Sequence, residues 1–159
     1  MIQRIQSVYL FFAVISLAVM FFFPLASFIG GDKDQLILYV YKLLSEVPDS
    51  KPDVPSWFIL PNLILAVLSL LISFAAIFLY KNRQLQIKMV RFTIVLLLAF
   101  IAVFFFYYVP AIEEISGVVT PEYDKVGATM PLIAFVFLIL AYRGIQSDEK
   151  LIRSADRLR

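Results

Sequence analysis

Residues 7–28, 57–80, 92–109 and 126–142 form four long apolar stretches without a single charged side chain. A hydrocarbon core ~30 Å thick is crossed by about 20 apolar residues in a helix rising 1.5 Å per residue. Each stretch meets that length within the usual scatter. The chain is therefore expected to be an all-α membrane protein built on four transmembrane helices. Composition agrees: 62% of the 159 residues are hydrophobic and 16% charged, against about half and a quarter in soluble domains. The expected organisation is one integral membrane domain over residues 1–159, with no room for a separate soluble domain.

The charges outside the stretches are sorted by sign. The N-terminus, the loop 81–91 and the tail 143–159 together carry ten of the Lys and Arg and three acids. The loops 30–56 and 110–125 carry four Lys and nine acids. Basic residues in short loops mark the cytoplasmic side, so both termini are expected in the cytoplasm. The formal net charge of +2 is the remainder of two opposed faces and says nothing about nucleic acid. The first stretch is too long for the 7–15-residue core of a cleaved signal peptide, so it reads as a retained helix.

Short connections place successive helices side by side, which gives an up-down-up-down four-helix bundle. Tyr9, Trp57, Tyr80, Tyr107, Tyr108 and Tyr142 fall at the helix ends, where amphipathic rings anchor in the headgroup layer. Pro110 is expected to stop the third helix, and Pro131 to lie in the first turns of the fourth. Pro24 and Pro61 lie deeper in their stretches, where neighbouring helices can satisfy the freed carbonyls. The outer connection 30–56 contains an apolar segment, 35–46, that reads equally as a helical stripe or a short strand.

The chain has neither Cys nor His. That excludes disulfides, thiol nucleophiles and thiolate metal sites, and removes the usual haem and zinc ligand and the usual neutral-pH proton shuttle. Transporters and pumps keep ionisable residues inside the membrane; these stretches have none. Glu113, Glu114, Glu122 and Asp124 cluster at the outer surface without the ligand spacing of a cation site. Catalytic, cofactor and metal sites are accordingly not expected.

Two surfaces remain as candidates. Ala66, Ser69, Ser73 and Ala76 recur at i, i+3, i+7 and i+10, a face of small side chains that lets helices approach closely. Either the chain's own helices pack there or another protein docks. The tail from Ser147 reads as a separate amphipathic helix, with Ser147 as N-cap and Asp148 and Glu149 in the first turn. Its Lys150, Arg153, Arg157 and Arg159 suit either anionic headgroups or a cytoplasmic partner.

The start Met1-Ile-Gln-Arg-Ile-Gln-Ser-Val-Tyr-Leu10, the Tyr142-Arg-Gly-Ile145 exit from the fourth stretch and the close Asp148-Glu-Lys-Leu-Ile-Arg-Ser-Ala-Asp-Arg-Leu-Arg159 resemble one bacterial family, called domain of unknown function 4293. The resemblance covers essentially the whole chain. It implies a small four-helix protein of the bacterial inner membrane, complete at this length, and supplies no activity, cofactor or site. The expectation is thus a non-enzymatic accessory or scaffold subunit that packs against other membrane proteins. Its rivals are a membrane-tethered regulator acting through the tail, and a carrier or channel for a small neutral solute, lipid or quinone.

Overall fold

The computed structural model describes residues 3–29, 35–45, 55, 57–116 and 121–156. The protein is mostly helical. Helix α1 is Gln3–Val19, α2 Leu60–Phe78, α3 Arg83–Val103, α4 Val109–Ser116 and α5 Met130–Asp156. A 3-10 turn, Leu79–Lys81, follows α2, and a π-helical turn, Phe104–Tyr108, joins α3 to α4 without a break. Strands β1 (Ala26–Ile29), β2 (Gln35–Leu38), β3 (Leu43–Ser45) and β4 (Glu122–Tyr123) form one antiparallel sheet in the order β3-β2-β1-β4.

Three helical rods are long and apolar enough to cross a membrane: Leu60–Lys81, Arg83–Ile115 and Met130–Ile152. Helix α1 is shorter, with an apolar run over Ile5–Val19. Large apolar side chains such as Phe11, Phe74, Phe92 and Val136 project outward from all four rods. A surface so apolar is suited to lipid and not to water.

The inward faces share one spacing. Helix α1 buries Gln6, Leu10, Ala13, Leu17, and Met20 follows in phase just past its end; α2 buries Asn62, Ala66, Ser69, Ser73 and Ala76. Helix α3 buries Gln86, Val90, Thr93, Leu97 and Phe100, and α5 buries Ala134, Leu138, Ala141, Ile145 and Asp148. Every row alternates steps of four and three, the 3.5-residue repeat that keeps a seam facing its partners. The rows interlock: α1 packs on α5 and α2, and α3 packs on α2 and α5.

The structure corrects four expectations. The first helix ends at Val19, not at residue 28. Phe21 and Phe22 donate to the carbonyls three residues back, which tightens the last turn. Pro24 then has no N–H to continue the helix and forces Phe23 toward extended backbone. Beyond it, Leu25 donates to the Leu38 carbonyl at 2.7 Å, and residues read as helix become β1. Secondly, the fold is mostly helical and not all-α: the segment 35–46, open between a helical stripe and a strand, forms β2 and β3 where it is described, turned by a Tyr39 N–H bond to the Lys42 carbonyl at 2.8 Å. Ala26, Phe28, Leu36, Leu38 and Val40 face inward and join the helical core.

Thirdly, the third helix begins at Arg83, since Asn82 caps it by accepting from the Leu85 N–H at 3.2 Å. Nor does Pro110 stop it. The π turn lies just before Pro110, whose ring would crowd the carbonyl four residues back in an ordinary α-turn. The wider turn absorbs that clash and keeps Phe104, Tyr108 and Ile112 on the buried side. Lastly, α5 continues without interruption to Asp156, so the tail is no separate helix where it is described and Ser147 is not an N-cap.

Asp124 organises the start of α5. Its Oδ1 accepts from the Val126 and Gly127 N–H groups, both at 2.8 Å, and its own N–H bonds the Leu25 carbonyl at 3.3 Å. One carboxylate thus caps the turn 125–129 that leads into α5 and pins it to the residue before β1. The contact is so close that a Cβ on Gly127 would lie 1.7 Å from the Pro24 carbonyl oxygen. Gly127→Ala should cost about 3 kcal/mol, because backbone must move to admit it. Thermal unfolding in mild detergent checks this, and an unchanged melting temperature would refute the close packing of the turn before α5 on Pro24.

Candidate functional site

The small-residue face of α2 is filled from within. Ala66, Ser69, Ser73 and Ala76 are all fully buried, with α1 and α3 of the same chain packed on α2. Ser69 donates to the Leu65 carbonyl at 2.7 Å, and Gln86 of α3 donates to the Ala76 carbonyl at 2.9 Å. The face lets the chain's own helices approach closely, and it offers no open seam to another protein.

At the sheet end of the helices, Tyr108 is fully buried and is not a headgroup anchor. Its hydroxyl donates to the Phe58 carbonyl at 2.5 Å and accepts from the Asn62 backbone N–H. It therefore stands between two groups that an α-turn would join directly, and it completes the first turn of α2. Pro61, second residue of that helix, sits where a missing N–H costs nothing. Phe58 meets the Tyr108 ring edge-on at 5.0 Å between centroids. Beside them the Asn62 side-chain amide is fully buried, and neither of its polar atoms has a partner among the described residues. Trp57 and Tyr107 are exposed at this end.

An open cavity of about 330 Å³ at the β1–β4 edge is lined by Ser27, Glu122, Tyr123, Asp124 and Lys125. Burial, and secondarily Glu113, raises the Tyr123 phenol above its ordinary value. Asp124 is already committed to capping the turn that leads into α5, and no cluster of metal-ligating side chains occurs among the described residues.

The opposite end carries most of the chain's basic residues and a set of polar ties. Gln6 of α1 donates to the carboxylate of Asp148, which is only 7% exposed. One turn earlier, Gly144 lets α1 come close: a Cβ there would sit 3.0 Å from Gln6 Cγ. Gln84 of α3 reaches Glu149 at 3.4 Å, and Arg91 donates to the Tyr142 hydroxyl at 3.2 Å with its guanidinium 5.7 Å from that ring's centroid. The expected tail is therefore a rigid extension of α5 held by α1 and α3. A sequence signal for this exists: Asp148 continues the four-three spacing from Ala134, so it belongs to the seam and not to a new first turn.

Tyr80 is exposed and Tyr9 and Tyr142 half-buried at this end; Tyr9 stacks on Phe137 at 6.4 Å. Of the basic tail, Lys150 is exposed. Arg157 and Arg159, and the side chain of Arg153, lie outside the described residues. Beside Lys150 the extension shows Leu151 and Ile152 at 58% and 42% exposure.

Fold and seam define a predominantly helical membrane protein. The chain matches, over residues 2–158, the family described as Domain of unknown function (DUF4293), and it belongs to that family. No curated protein matches it.

Two substitutions test the two ends. Tyr108→Phe removes the hydroxyl that completes the first turn of α2 and should cost about 1 kcal/mol. Gln6→Leu leaves the buried Asp148 carboxylate without its donor and should cost about 2 kcal/mol. Unfolding midpoints unchanged from the parent protein would remove both bonds from the account.

Proposed function

We propose that this protein is a non-enzymatic scaffold or accessory subunit of a bacterial inner membrane. In this reading it is an up-down-up-down four-helix bundle with both termini cytoplasmic, as the distribution of Lys and Arg favours. The observation that carries the reading is the extension of α5. It leaves the charge-free stretch as a continuous helix, is tied to α1 and α3 by Gln6–Asp148 and Gln84–Glu149, and holds Lys150, Leu151 and Ile152 outward. A short free helix is marginal in water; one continuous with a packed rod is preorganised, so binding through it costs little ordering entropy. The contact surface is thus the end of α5 and not the α2 face.

Gentle-detergent purification of the tagged protein from its native cell, with mass spectrometry of what accompanies it, tests the proposal. One membrane complex should co-purify stoichiometrically. Leu151→Glu with Ile152→Glu should release that complex while the melting temperature stays within a few degrees. Recovery of the protein alone would overturn the scaffold reading.

Asn62 favours a second reading, a carrier for a small neutral molecule such as a quinone. A buried amide without partners costs about 1–3 kcal/mol, and a carbonyl-bearing ligand entering between α2 and Tyr108 would recover it. A short-chain quinone should then raise the melting temperature of the purified protein but not of Asn62→Leu. No shift in the parent protein would eliminate this reading.

A further inference from the structure

The turn between α2 and α3 builds a second kind of site. Tyr80, Lys81, Asn82, Arg83 and Gln84 from the turn, with Glu149 and Ile152 from α5, line an open cavity of about 680 Å³. Neither Lys81 nor Arg83 has an ion-pair or hydrogen-bond partner among the described residues. Arg83 and Gln84 supply the first two backbone N–H groups of α3. Gln86 is the first residue to donate to an intrahelical carbonyl, that of Asn82, and the Asn82 side chain takes only the Leu85 N–H. The positive end of a 21-residue helix and two unpaired cations therefore converge on one notch. Glu149, the single acid in the lining, already accepts from Gln84.

A second observation comes from the surface below the notch. Ile64, Leu68, Leu71, Phe74 and Phe78 run down the outward face of α2, each about 40% exposed or more, and Phe74 and Phe78 meet edge-on at 5.2 Å. Lys81 follows Phe74 and Phe78 at i+7 and i+3, so the apolar track leads up to the cation. An apolar track ending in a positive notch matches an amphiphile with an anionic head.

We propose that the α2–α3 notch seats the headgroup phosphate of an anionic phospholipid between Lys81 and Arg83 at the start of α3, with an acyl chain lying along the Phe78–Phe74 face. A free phosphate would use the notch and leave the track unused. The inference rests on the chain lying in a bilayer and not on the scaffold reading, so either can fail without the other.

The full-length protein in a mild nonionic detergent is titrated with phosphatidylglycerol and with phosphatidylcholine of the same chains, and bound lipid is counted by native mass spectrometry. With two basic groups engaged, phosphatidylglycerol should bind about thirtyfold tighter. Lys81→Gln, a change at an exposed side chain, should reduce the preference about fivefold. Adding Arg83→Gln should abolish it. Lys88→Gln with Arg143→Gln removes the same charge from the same end outside the notch and should leave the preference intact. Equal binding of the two lipids overturns the proposal, as does a preference that survives the notch variants or falls equally in the control pair. Displacement of phosphatidylglycerol by millimolar inorganic phosphate overturns it as well, by assigning the notch to a soluble anion.

Discussion

The structure depends on four helices keeping a 3.5-residue seam in register with one another. In lipid, apolar burial does not drive helices together, because acyl chains are as apolar as leucine. What holds the rods is close approach and the few polar bonds that approach allows. The seam positions show both. Ala13, Ala66, Ser69, Ala76, Ala134 and Ala141 bring backbones together, and Gln86 bonds the Ala76 carbonyl only because α2 and α3 are near enough. Leu, Val, Ile, Phe and Met fill most of the remaining positions, and Phe11, Phe74, Phe92 and Val136 point outward.

The two ends of that seam are closed by different chemistry. At one end Pro24 stops α1, β1, β2 and the turn after β2 add Phe28, Leu38 and Val40 to the helical core, and Asp124 and Gly127 lock the turn before α5 against the same corner. At the other end the ties are polar: Gln6 to Asp148, Gln84 to Glu149, Arg91 to Tyr142. The first end is a lid made mostly of apolar side chains and backbone bonds. The second presents charge and an exposed apolar pair on a helix that cannot swing freely. This asymmetry is why the proposed contacts, with a protein partner and with an anionic headgroup, both fall at the basic end.

Much of the helical part was legible because its causes are local. Charge-free length marks α2, α3 and α5 as able to span a membrane, and the small residues of α2 mark its packing face. Other features were misread where one pattern serves two structures. Residues 25–29 are apolar enough for a helix or a buried strand, and only pairing with β2 and β4 selects the strand. Tyr108 resembles an anchor by position, yet the π turn before Pro110 rotates it inward to complete α2. Asp148 resembles a helix start by type, yet its spacing from Ile145 places it in the seam opposite Gln6.

The sequence by itself determined that the chain belongs in a membrane and where its apolar rods run, because transfer into lipid depends on composition along about 20 residues and on little else. It also determined one inward face, the small-residue row Ala66, Ser69, Ser73 and Ala76 of α2; the other stretches are apolar on every side, so their spacing alone selects no face. Only the tertiary structure decided what the inward faces meet, where α1 ends, that α5 continues past its charges, and that residues 26–29, 35–38 and 43–45 supply strands of a sheet. Those outcomes turn on hydrogen bonds and contacts between residues distant in the chain, such as Leu25 with Leu38, Gln6 with Asp148 and Pro24 with Gly127. No local pattern encodes which partner will be near.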